Sequence, residues 1–424
     1  MRIKVLNKIK NYLSALSKIN FKDTVSNIHS CDVLLFCHDV DRGISLNNKA
    51  YSPLIDSVKD QFEEAGYSCL SIAHPWSKII GNAGYGSPIA INRSYFIAKT
   101  FSKLSRNFIY KADVKLYERI IKKSNAKVII TIGCSNELCE AARNLEVFHA
   151  ELLHGIGYTP MPWGWESKDK IHLPQAILSF DEVSTKTFSE LEKHGVLIKE
   201  IPHPFLSRFQ EEKLRKIPTE WLPRKKQSKY KKEILVSLQW GYAPGLDEHD
   251  FFKGFLRNGL FYDELKEVIL KTQDTVFWRF RFHPVQYRQP DKYKKLFHFM
   301  DEFVNENKNC DWKESTYIPL PSLLIQCSGH ITMSSMTNYE AAYMGVPTLA
   351  LCPSLRVGGV YEEFFEDLVE QGYVSKQCVE KSDIIKWVNT VEKKEPLLQN
   401  LNIKKDSEDL TSWLLNKTES SQSS

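Results

Sequence analysis

Short apolar runs alternate with helical segments along most of the chain, and this alternation restricts the fold more than any other feature. Runs such as Val33–Cys37 and Val128–Ile132 contain few polar residues and are typical of strands that are buried on both faces. Between the runs, the spacing of apolar side chains predicts helices, for example over 52–65 and 136–144. This pattern predicts an α/β protein built on parallel sheets.

The alternation occurs in two series that a basic segment separates. Residues 211–233 carry nine Lys or Arg residues against four Glu and contain Pro218 and Pro223. We therefore predict two Rossmann-like domains of similar size that face each other, with ligands bound beyond the carboxyl ends of the strands. The predicted segments are a basic N-terminal helix (1–24), an N-terminal domain (25–210), a linker (211–233), a C-terminal domain (234–380), C-terminal helices (381–415) and a disordered tail (416–424).

The net charge of +5 is confined to two segments of the 424-residue chain. Residues 1–22 carry six Lys or Arg residues and no acid, and the linker has an excess of positive charge as well. The rest of the chain is therefore slightly acidic. This distribution is typical of an enzyme and excludes a generally basic nucleic-acid-binding protein.

The N-terminal segment has apolar residues at helical spacing with Lys between them. One interpretation is a surface helix that docks on the body of the protein. The alternative is that residues 1–22 attach the chain to the anionic leaflet of the inner membrane.

Neither cysteine spacing nor hydropathy indicates a metal site or a membrane span. The nine cysteines are scattered singly, and none forms a Cys/His cluster with zinc spacing. No apolar run approaches the roughly 18 residues that a spanning helix needs, and the N-terminus has no apolar core of a secretory signal. We expect a protein of the reducing cytoplasm without a structural metal.

A His-Pro pair follows one strand of the second series. The strand Val276–Phe282 leads directly into His283 and Pro284, and proline fixes the backbone at that point. The imidazole can donate to a phosphate, and Arg281 adds positive charge beside it. A plain turn after a strand is the alternative.

A Ser-Ser pair follows a later strand and begins a helix. Ser334 and Ser335 come directly after the run His330–Met333, and Glu340 lies one turn inside the helix. Serine caps free N–H groups at a helix start, and the same groups bind anions. We predict a phosphate site at the two serines, with Glu340 within reach of a ribose hydroxyl.

His283-Pro284 and Ser334-Ser335 together resemble the HP and SS/T motifs of bacterial CMP-sugar transferases, the sialyltransferase-like group with the GT-B fold. Four stretches look like the related bacterial polysaccharide glycosyltransferases, above all the retaining β-Kdo transferases of O-antigen and capsule assembly. These stretches are 151–155, 234–240, 280–285 and 318–324. The acidic D/E-D/E-G motif of several sialyltransferase families has no counterpart here, which argues against a plain sialyltransferase.

The resemblance implies a GT-B fold in which the histidine and the serines hold the phosphate of CMP. The donor would be a nucleotide sugar bound without metal or other cofactor, and the acceptor a glycan or lipid-linked glycan. The Kdo transferases are thought to use a carboxylate nucleophile in a double displacement, with a second acid nearby.

The catalytic acids must lie at strand ends. Asp247 follows the first strand of the second series through a Gly/Pro turn and is the predicted nucleophile. Glu166 follows a Gly/Trp/Pro-rich loop and is the predicted base. Asp39 and Glu151 are the further acids on which a sugar adduct could form.

These observations predict a cytoplasmic transferase that moves Kdo or a related 2-keto sugar from CMP to a cell-surface polysaccharide, with retention. The alternatives are a UDP- or GDP-sugar transferase on the same fold, a nucleotide-sugar 2-epimerase, and a glycan-binding protein without activity. Stabilisation by CMP, by UDP or by neither nucleotide distinguishes them.

Overall fold

The structure is a computed structural model. It describes residues 20–104, 111–158, 163–224, 230–257, 259–377, 379–397 and 410–417. The predicted N-terminal helix therefore lies almost wholly outside the described residues, and so do most of the predicted tail and part of the C-terminal segment before it. Within the described ranges, no helix combines the length and the apolar composition that crossing a membrane requires.

The first half of the chain forms a six-stranded, all-parallel sheet in the order β4-β1-β5-β6-β7-β8. A short antiparallel hairpin, β2–β3, lies outside it. The strands are β1 (Val33–Cys37), β2 (Ile44–Leu46), β3 (Lys49–Tyr51), β4 (Cys69–Ala73), β5 (Val128–Thr131), β6 (Phe148–Leu152), β7 (Ala176–Ser179) and β8 (Leu197–Glu200).

Helices connect the strands of this sheet. They are α1 (Ile55–Glu64), α2 (Asn92–Leu104), α3 (Ala112–Ser124), α4 (Asn136–Asn144) and α5 (Glu182–Phe188). Two of them begin with side-chain caps, since Ser135 accepts a hydrogen bond from Leu138 N at the start of α4 and Asp181 accepts from Ser184 N at the start of α5. The helices and strands enclose an apolar core, in which Phe36, Ile120 and Ile129 are fully buried.

The second half forms another six-stranded parallel sheet, in the order β11-β10-β9-β12-β13-β14. Numbered along the chain, these strands lie in the order 3-2-1-4-5-6, which is that of a dinucleotide-binding Rossmann sheet. The strands are β9 (Lys232–Ser237), β10 (Val276–Arg281), β11 (Cys310–Asp311), β12 (Gly329–Thr332), β13 (Thr348–Ala350) and β14 (Val374–Lys376).

The helices of the second half include one of 17 residues and several of a single turn or two. They are α6 (Asp263–Lys271), α7 (Pro284–Tyr287), α8 (Pro290–Glu306), α9 (Lys313–Tyr317), α10 (Leu320–Gln326), α11 (Thr337–Tyr343), α12 (Glu366–Glu370) and α13 (Lys381–Thr390). Residues 410–417 are also helical.

Contacts divide the chain into two compact units. The first comprises Met1–His154, Pro160–Pro204 and Lys404–Ser424, and the second comprises Gly155–Thr159 and Phe205–Ile403. We call them the first and second domain. The two parallel sheets bear out the predicted α/β class.

The basic segment 211–233 differs from a solvated connector. Among its described residues, Glu211–Lys216 and Thr219–Trp221 form 3-10 turns, and β9 begins before the segment ends. Trp221 is only 2% exposed, and its ring meets that of Phe205 with centroids 5.5 Å apart. The apolar Trp221 anchors the segment to the second domain despite the surrounding charge.

Candidate functional site

The carboxyl ends of three strands lie in register in the second sheet. Ser237 at the end of β9 pairs with Arg281 of β10 on one side and with Thr332 of β12 on the other. The chain order of the strands reverses direction between β9 and β12, and ligands of such sheets bind at this switch point. The loops after β9, β10 and β12 therefore form the candidate site.

Gln239 connects the two strands of the switch point. Its Oε1 accepts a hydrogen bond from the backbone N–H of Ser334 and a longer one, at 3.4 Å, from the Thr332 hydroxyl. The neighbouring Trp240 is 45% exposed, and its indole N–H donates to Tyr293 Oη at 3.0 Å. Through its bond to Ser334 N, Gln239 holds the start of the loop after β12 in position.

His283 occupies the cap position of α7 immediately after β10. Its Nδ1 accepts a hydrogen bond from Val285 N at 3.2 Å, and its backbone N–H donates to Gln286 Oε1 at 3.1 Å. Burial, together with the charge of Arg288, lowers the pKa of His283 to about 4. The imidazole is therefore neutral at pH 7, and its proton is on Nε2, which has no hydrogen-bond partner among the described residues.

Ser334 is held by its neighbours. Its hydroxyl lies 3.0 Å from Tyr242 Oη, which in turn lies 3.4 Å from the Cys352 thiol after β13. With its backbone N–H bound to Gln239 as well, Ser334 serves as an anchor for the loop.

Ser335 has a different environment. Its Oγ accepts a hydrogen bond from Thr337 N at 3.3 Å, and its hydroxyl proton has no acceptor among the described residues. Of the two serines, Ser335 is therefore the one with a free donor.

Asp247 belongs to the same network as His283. Its Oδ1 accepts from Ala243 N at 3.0 Å, and its Oδ2 accepts from Gln286 Nε2 at 3.3 Å. Because the buried Gln286 also binds the backbone of His283, one amide side chain joins Asp247 to the start of α7. The carboxylate is half-buried.

Arg281 and Glu340 interact electrostatically. Arg281 donates to the carbonyl oxygens of Ser315 at 2.7 Å and Ile318 at 2.5 Å. Loss of solvation raises the pKa of Glu340 to about 7, and the guanidinium of Arg281 opposes this rise. Arg281 is therefore hydrogen-bonded to the backbone within α9 and directly after it.

A glycine lets another segment approach α11 closely. Gly157 has a φ of +72°, and a Cβ built on it would lie 2.4 Å from Cε2 of Tyr339. Tyr339 also donates to Asp367 Oδ1 at 3.1 Å. No larger residue fits at position 157 unless Tyr339 shifts.

The first sheet has its own switch point between β1 and β5, where Phe36 pairs with Thr131. His38 follows β1, and its ring stacks on that of His74 at a centroid distance of 3.6 Å. Burial and the neighbouring His38 lower the pKa of His74 to about 3, so that this imidazole is neutral.

The predicted acids of the first domain differ in the number of hydrogen bonds that their carboxylates accept. Asp39 accepts hydrogen bonds from Lys78 N at 2.6 Å and from Ile79 N at 3.3 Å. Glu151 accepts from Gly133 N at 2.5 Å, from Cys134 N at 3.1 Å and from the Thr131 hydroxyl. Glu166 is exposed in the loop before β7, and no described residue binds its carboxylate.

The structure thus brings together the predicted residues of the second domain. His283, Pro284, Asp247, Arg281, Ser334, Ser335 and Glu340 all lie at or just beyond the carboxyl edge of its sheet. Sequence reasoning missed Gln239, Tyr242 and Gln286, which hold these residues in place. Only the position of Gln239, two residues after a strand, could have suggested its role.

The chain is similar to solved structures over nearly its whole length. It matches the wall teichoic acid polymerase TagF with a TM-score of 0.55 and 14% identity, covering 98% of this chain and 97% of that one. It matches the UDP-GlcNAc 2-epimerase of Methanocaldococcus jannaschii with a TM-score of 0.51 and 13% identity, covering 90% and 99%. A structure of that epimerase in complex with UDP-GlcNAc and UDP gives a TM-score of 0.50 at 14% identity, with the same coverage.

At these identities the likeness establishes the fold. It confirms the predicted GT-B class. No protein-family model matches the chain, and no curated protein matches it by sequence.

Proposed function

We propose that the chain is a glycosyltransferase whose second domain binds a nucleotide-activated sugar. The observation that carries this proposal is the presence of two unsatisfied donors, the Nε2–H of His283 and the hydroxyl of Ser335, beside the switch point of a Rossmann-order sheet. Donors that are fixed before a ligand arrives bind an anion without reorganisation. A phosphate of the donor fits this chemistry.

The proposed donor is a CMP-linked 2-keto sugar of the Kdo type. Support comes from the resemblance of His283-Pro284 and Ser334-Ser335 to the phosphate-binding motifs of CMP-sugar transferases. Before the donor binds, His283 is neutral and its Nε2–H is available to donate to the phosphate. The bound anion would then raise the pKa of His283. The likeness to a teichoic acid polymerase supports a cell-surface polymer as the acceptor.

We propose Asp247 as the nucleophile of a double displacement. Its carboxylate would attack the anomeric carbon while the bond to the phosphate oxygen of CMP breaks, forming a glycosyl ester with the enzyme. An acceptor hydroxyl, losing its proton to a base, would then displace Asp247 and restore the carboxylate. For the base we propose Glu166, whose carboxylate has no partner among the described residues.

Thermal unfolding with nucleotides tests the donor assignment. CMP at saturating concentration should raise the melting temperature of the full chain, because a ligand that binds only the folded state stabilises it. The variant His283→Asn with Ser335→Ala should lose this shift, whereas His298→Asn, which changes an exposed histidine of α8, should keep it. Equal shifts in wild type and double variant would contradict the proposed site.

The second candidate is a UDP-sugar enzyme, either a transferase or a 2-epimerase. The likeness to UDP-GlcNAc 2-epimerases, one of them in complex with UDP-GlcNAc and UDP, favours it. A thermal shift with UDP but not with CMP would support this candidate, and conversion of UDP-GlcNAc to its C2 epimer would identify the epimerase. The same measurement with GDP tests the GDP-sugar transferase.

We also propose that residues 1–22 hold the enzyme at the inner face of a membrane. Their six basic residues and lack of acids support attraction to anionic lipid. Co-sedimentation of the full chain with anionic vesicles should fall with added salt and with removal of this segment. Sedimentation that persists without residues 1–22 would overturn this assignment.

A further inference from the structure

Side chains with metal-binding atoms come together in the first domain from β6, from the loop after β5 and from α4. Cys134, His149 and Glu151 each offer one ligand atom, and these three atoms lie within 4.8 Å of one another. Cys139, in α4, interacts with both the Cys134 thiol and the His149 imidazole. His149 is completely buried, and Cys139 nearly so.

The hydrogen bonds determine which nitrogen of His149 is free. The hydroxyl of Thr131 donates its proton to Glu151. Towards His149 Nε2, which lies 2.8 Å away, the same hydroxyl can therefore only accept, so that Nε2 carries the ring proton. The other nitrogen, Nδ1, then has a lone pair, and it is buried without a hydrogen-bond partner among the described residues.

A buried lone pair is costly unless a proton or a cation binds it. The neighbouring Cys139 thiol supplies only a weak S–H donor to the imidazole, and a cation would bind the lone pair more strongly. Two thiolates, one imidazole and one carboxylate match the ligands that Zn²⁺ takes in tetrahedral sites. Zinc bonds of about 2.0–2.3 Å place such ligand atoms roughly 3–4 Å apart. Only a small contraction of Cys134, His149 and Glu151 from their observed separation is then required, and Cys139 in the adjoining turn of α4 would supply the fourth ligand.

The surroundings provide the second layer of contacts that metal sites use. A metal-bound histidine normally donates its other ring N–H to an oxygen, and here Nε2 donates to Thr131. The carboxylate of Glu151 is likewise oriented by the N–H groups of Gly133 and Cys134. Cys134 is half-buried, and the neighbouring Gly133 is exposed.

We propose that Cys134, Cys139, His149 and Glu151 bind one Zn²⁺ ion in the first domain. Binding would release the two thiol protons and join the loop after β5, the first turns of α4 and the end of β6. None of these four residues belongs to the proposed nucleotide site of the second domain. It departs from the expectation, drawn from sequence spacing, that the chain contains no structural metal.

The test uses the full chain, stripped with a chelator under reducing conditions and then titrated with Zn²⁺ or Co²⁺ alone. Wild type should bind about one equivalent of zinc, and Co²⁺ should give the absorption bands of tetrahedral thiolate coordination. Both signals should disappear in Cys134→Ser with Cys139→Ser. They should remain in the control Cys69→Ser, which changes a half-buried thiol elsewhere in the same domain.

Three results would overturn the proposal. These are the absence of stoichiometric zinc in wild type, equal binding by the double variant, and a disulfide between Cys134 and Cys139 that forms while excess zinc remains unbound.

A second variant keeps the proposal testable if the double variant does not fold. Thr131→Val keeps the shape of the side chain and removes only the oxygen that binds His149 and Glu151. Zinc affinity should then fall by about 10–100-fold with the stoichiometry preserved, as for other residues that orient metal ligands. An unchanged affinity would overturn the assignment of Nδ1 as the ligand atom.

Discussion

The two sheets have similar topologies, but the polar clusters that we assign to ligands differ in which atoms remain unsatisfied. In the second domain they include two half-buried donors, His283 Nε2–H and the Ser335 hydroxyl, next to buried side-chain atoms of Thr337 and Asn338 that also have no partner among the described residues. In the first domain a buried acceptor, Nδ1 of His149, lies beside two thiols and a carboxylate. Free donors suit an anion and clustered acceptors suit a cation. For this reason we propose the nucleotide phosphate as the ligand of the second domain and a metal ion as the ligand of the first.

The largest effect is expected at Asp247. Asp247→Asn keeps an oxygen that can accept from Ala243 N but removes the charge, so transfer should fall by at least about 10³-fold while CMP affinity changes little. Steady-state kinetics and calorimetry measure the two quantities. The exposed Asp250→Asn in the same loop serves as the control.

Mass spectrometry of the intact wild type, given donor without acceptor, should show a sugar adduct on the peptide that contains Asp247. An adduct on Asp39 or Glu151 would keep the mechanism and move the nucleophile to the first domain. Inverted product stereochemistry would contradict the double displacement itself.

A matched pair of variants at His283 probes the free donor of the second domain. His283→Asn retains an acceptor near the position of Nδ1 and removes the Nε2–H, so CMP binding should weaken by about 5–30-fold. His283→Gln instead places an amide N–H near the position of Nε2 and should weaken binding less. If His283→Gln weakens binding more than His283→Asn does, the cap of α7 rather than the Nε2 donor is responsible.

The two serine variants should differ in CMP affinity when measured by the same titration. Ser335→Ala removes the free hydroxyl and should weaken CMP binding by about 5–10-fold. Ser334→Ala removes a hydroxyl that Tyr242 already engages, and its effect on affinity should be smaller, with a loss of thermal stability instead. The reverse ranking would show that Ser334 contacts the phosphate.

Substitution of Glu340 should have a smaller effect, which concerns the free energy of unfolding. Its pKa is raised from 4.5 to about 7, so that between these pH values the folded state holds a proton that the unfolded state has lost. The free energy of unfolding therefore falls as pH rises through this window. Glu340→Gln should relieve this loss, and its stability relative to wild type should rise by roughly 1–3 kcal/mol between pH 5 and pH 8.

Denaturant unfolding at several pH values measures this difference. The exposed Glu302→Gln should show no such dependence. A pH-independent difference for Glu340→Gln would place the carboxyl in a more polar environment than the structure does.

Regular patterns in the sequence predict much of the second domain. The apolar run before His283 and the Ser-Ser pair before α11 locate the strand ends, because a parallel strand of a covered sheet is apolar along its length. In the first domain, helix α4 lies over the residues that the apolar spacing predicts. Between Ala73 and Val128 the predicted pattern contains no element, yet α2 and α3 lie there.

Tertiary contacts were beyond prediction. Gln239 reaches Ser334 across 95 residues of sequence, and no local pattern marks such a pair. The proposed zinc ligands could not be predicted for the same reason. Cys134 lies on a loop and Cys139 on a helix, whereas His149 and Glu151 lie on a strand. Zinc motifs recognised by spacing require ligands that local structure already brings together.

Hydrogen–deuterium exchange of the full chain with and without CMP tests the central claim most directly, because it reports on both domains in one measurement. The account predicts slower exchange in the second domain, over the segments 238–242, 282–288 and 333–340, and unchanged exchange over 131–135 and 149–153 in the first. Protection confined to the first domain, or none in the presence of saturating nucleotide, would contradict it.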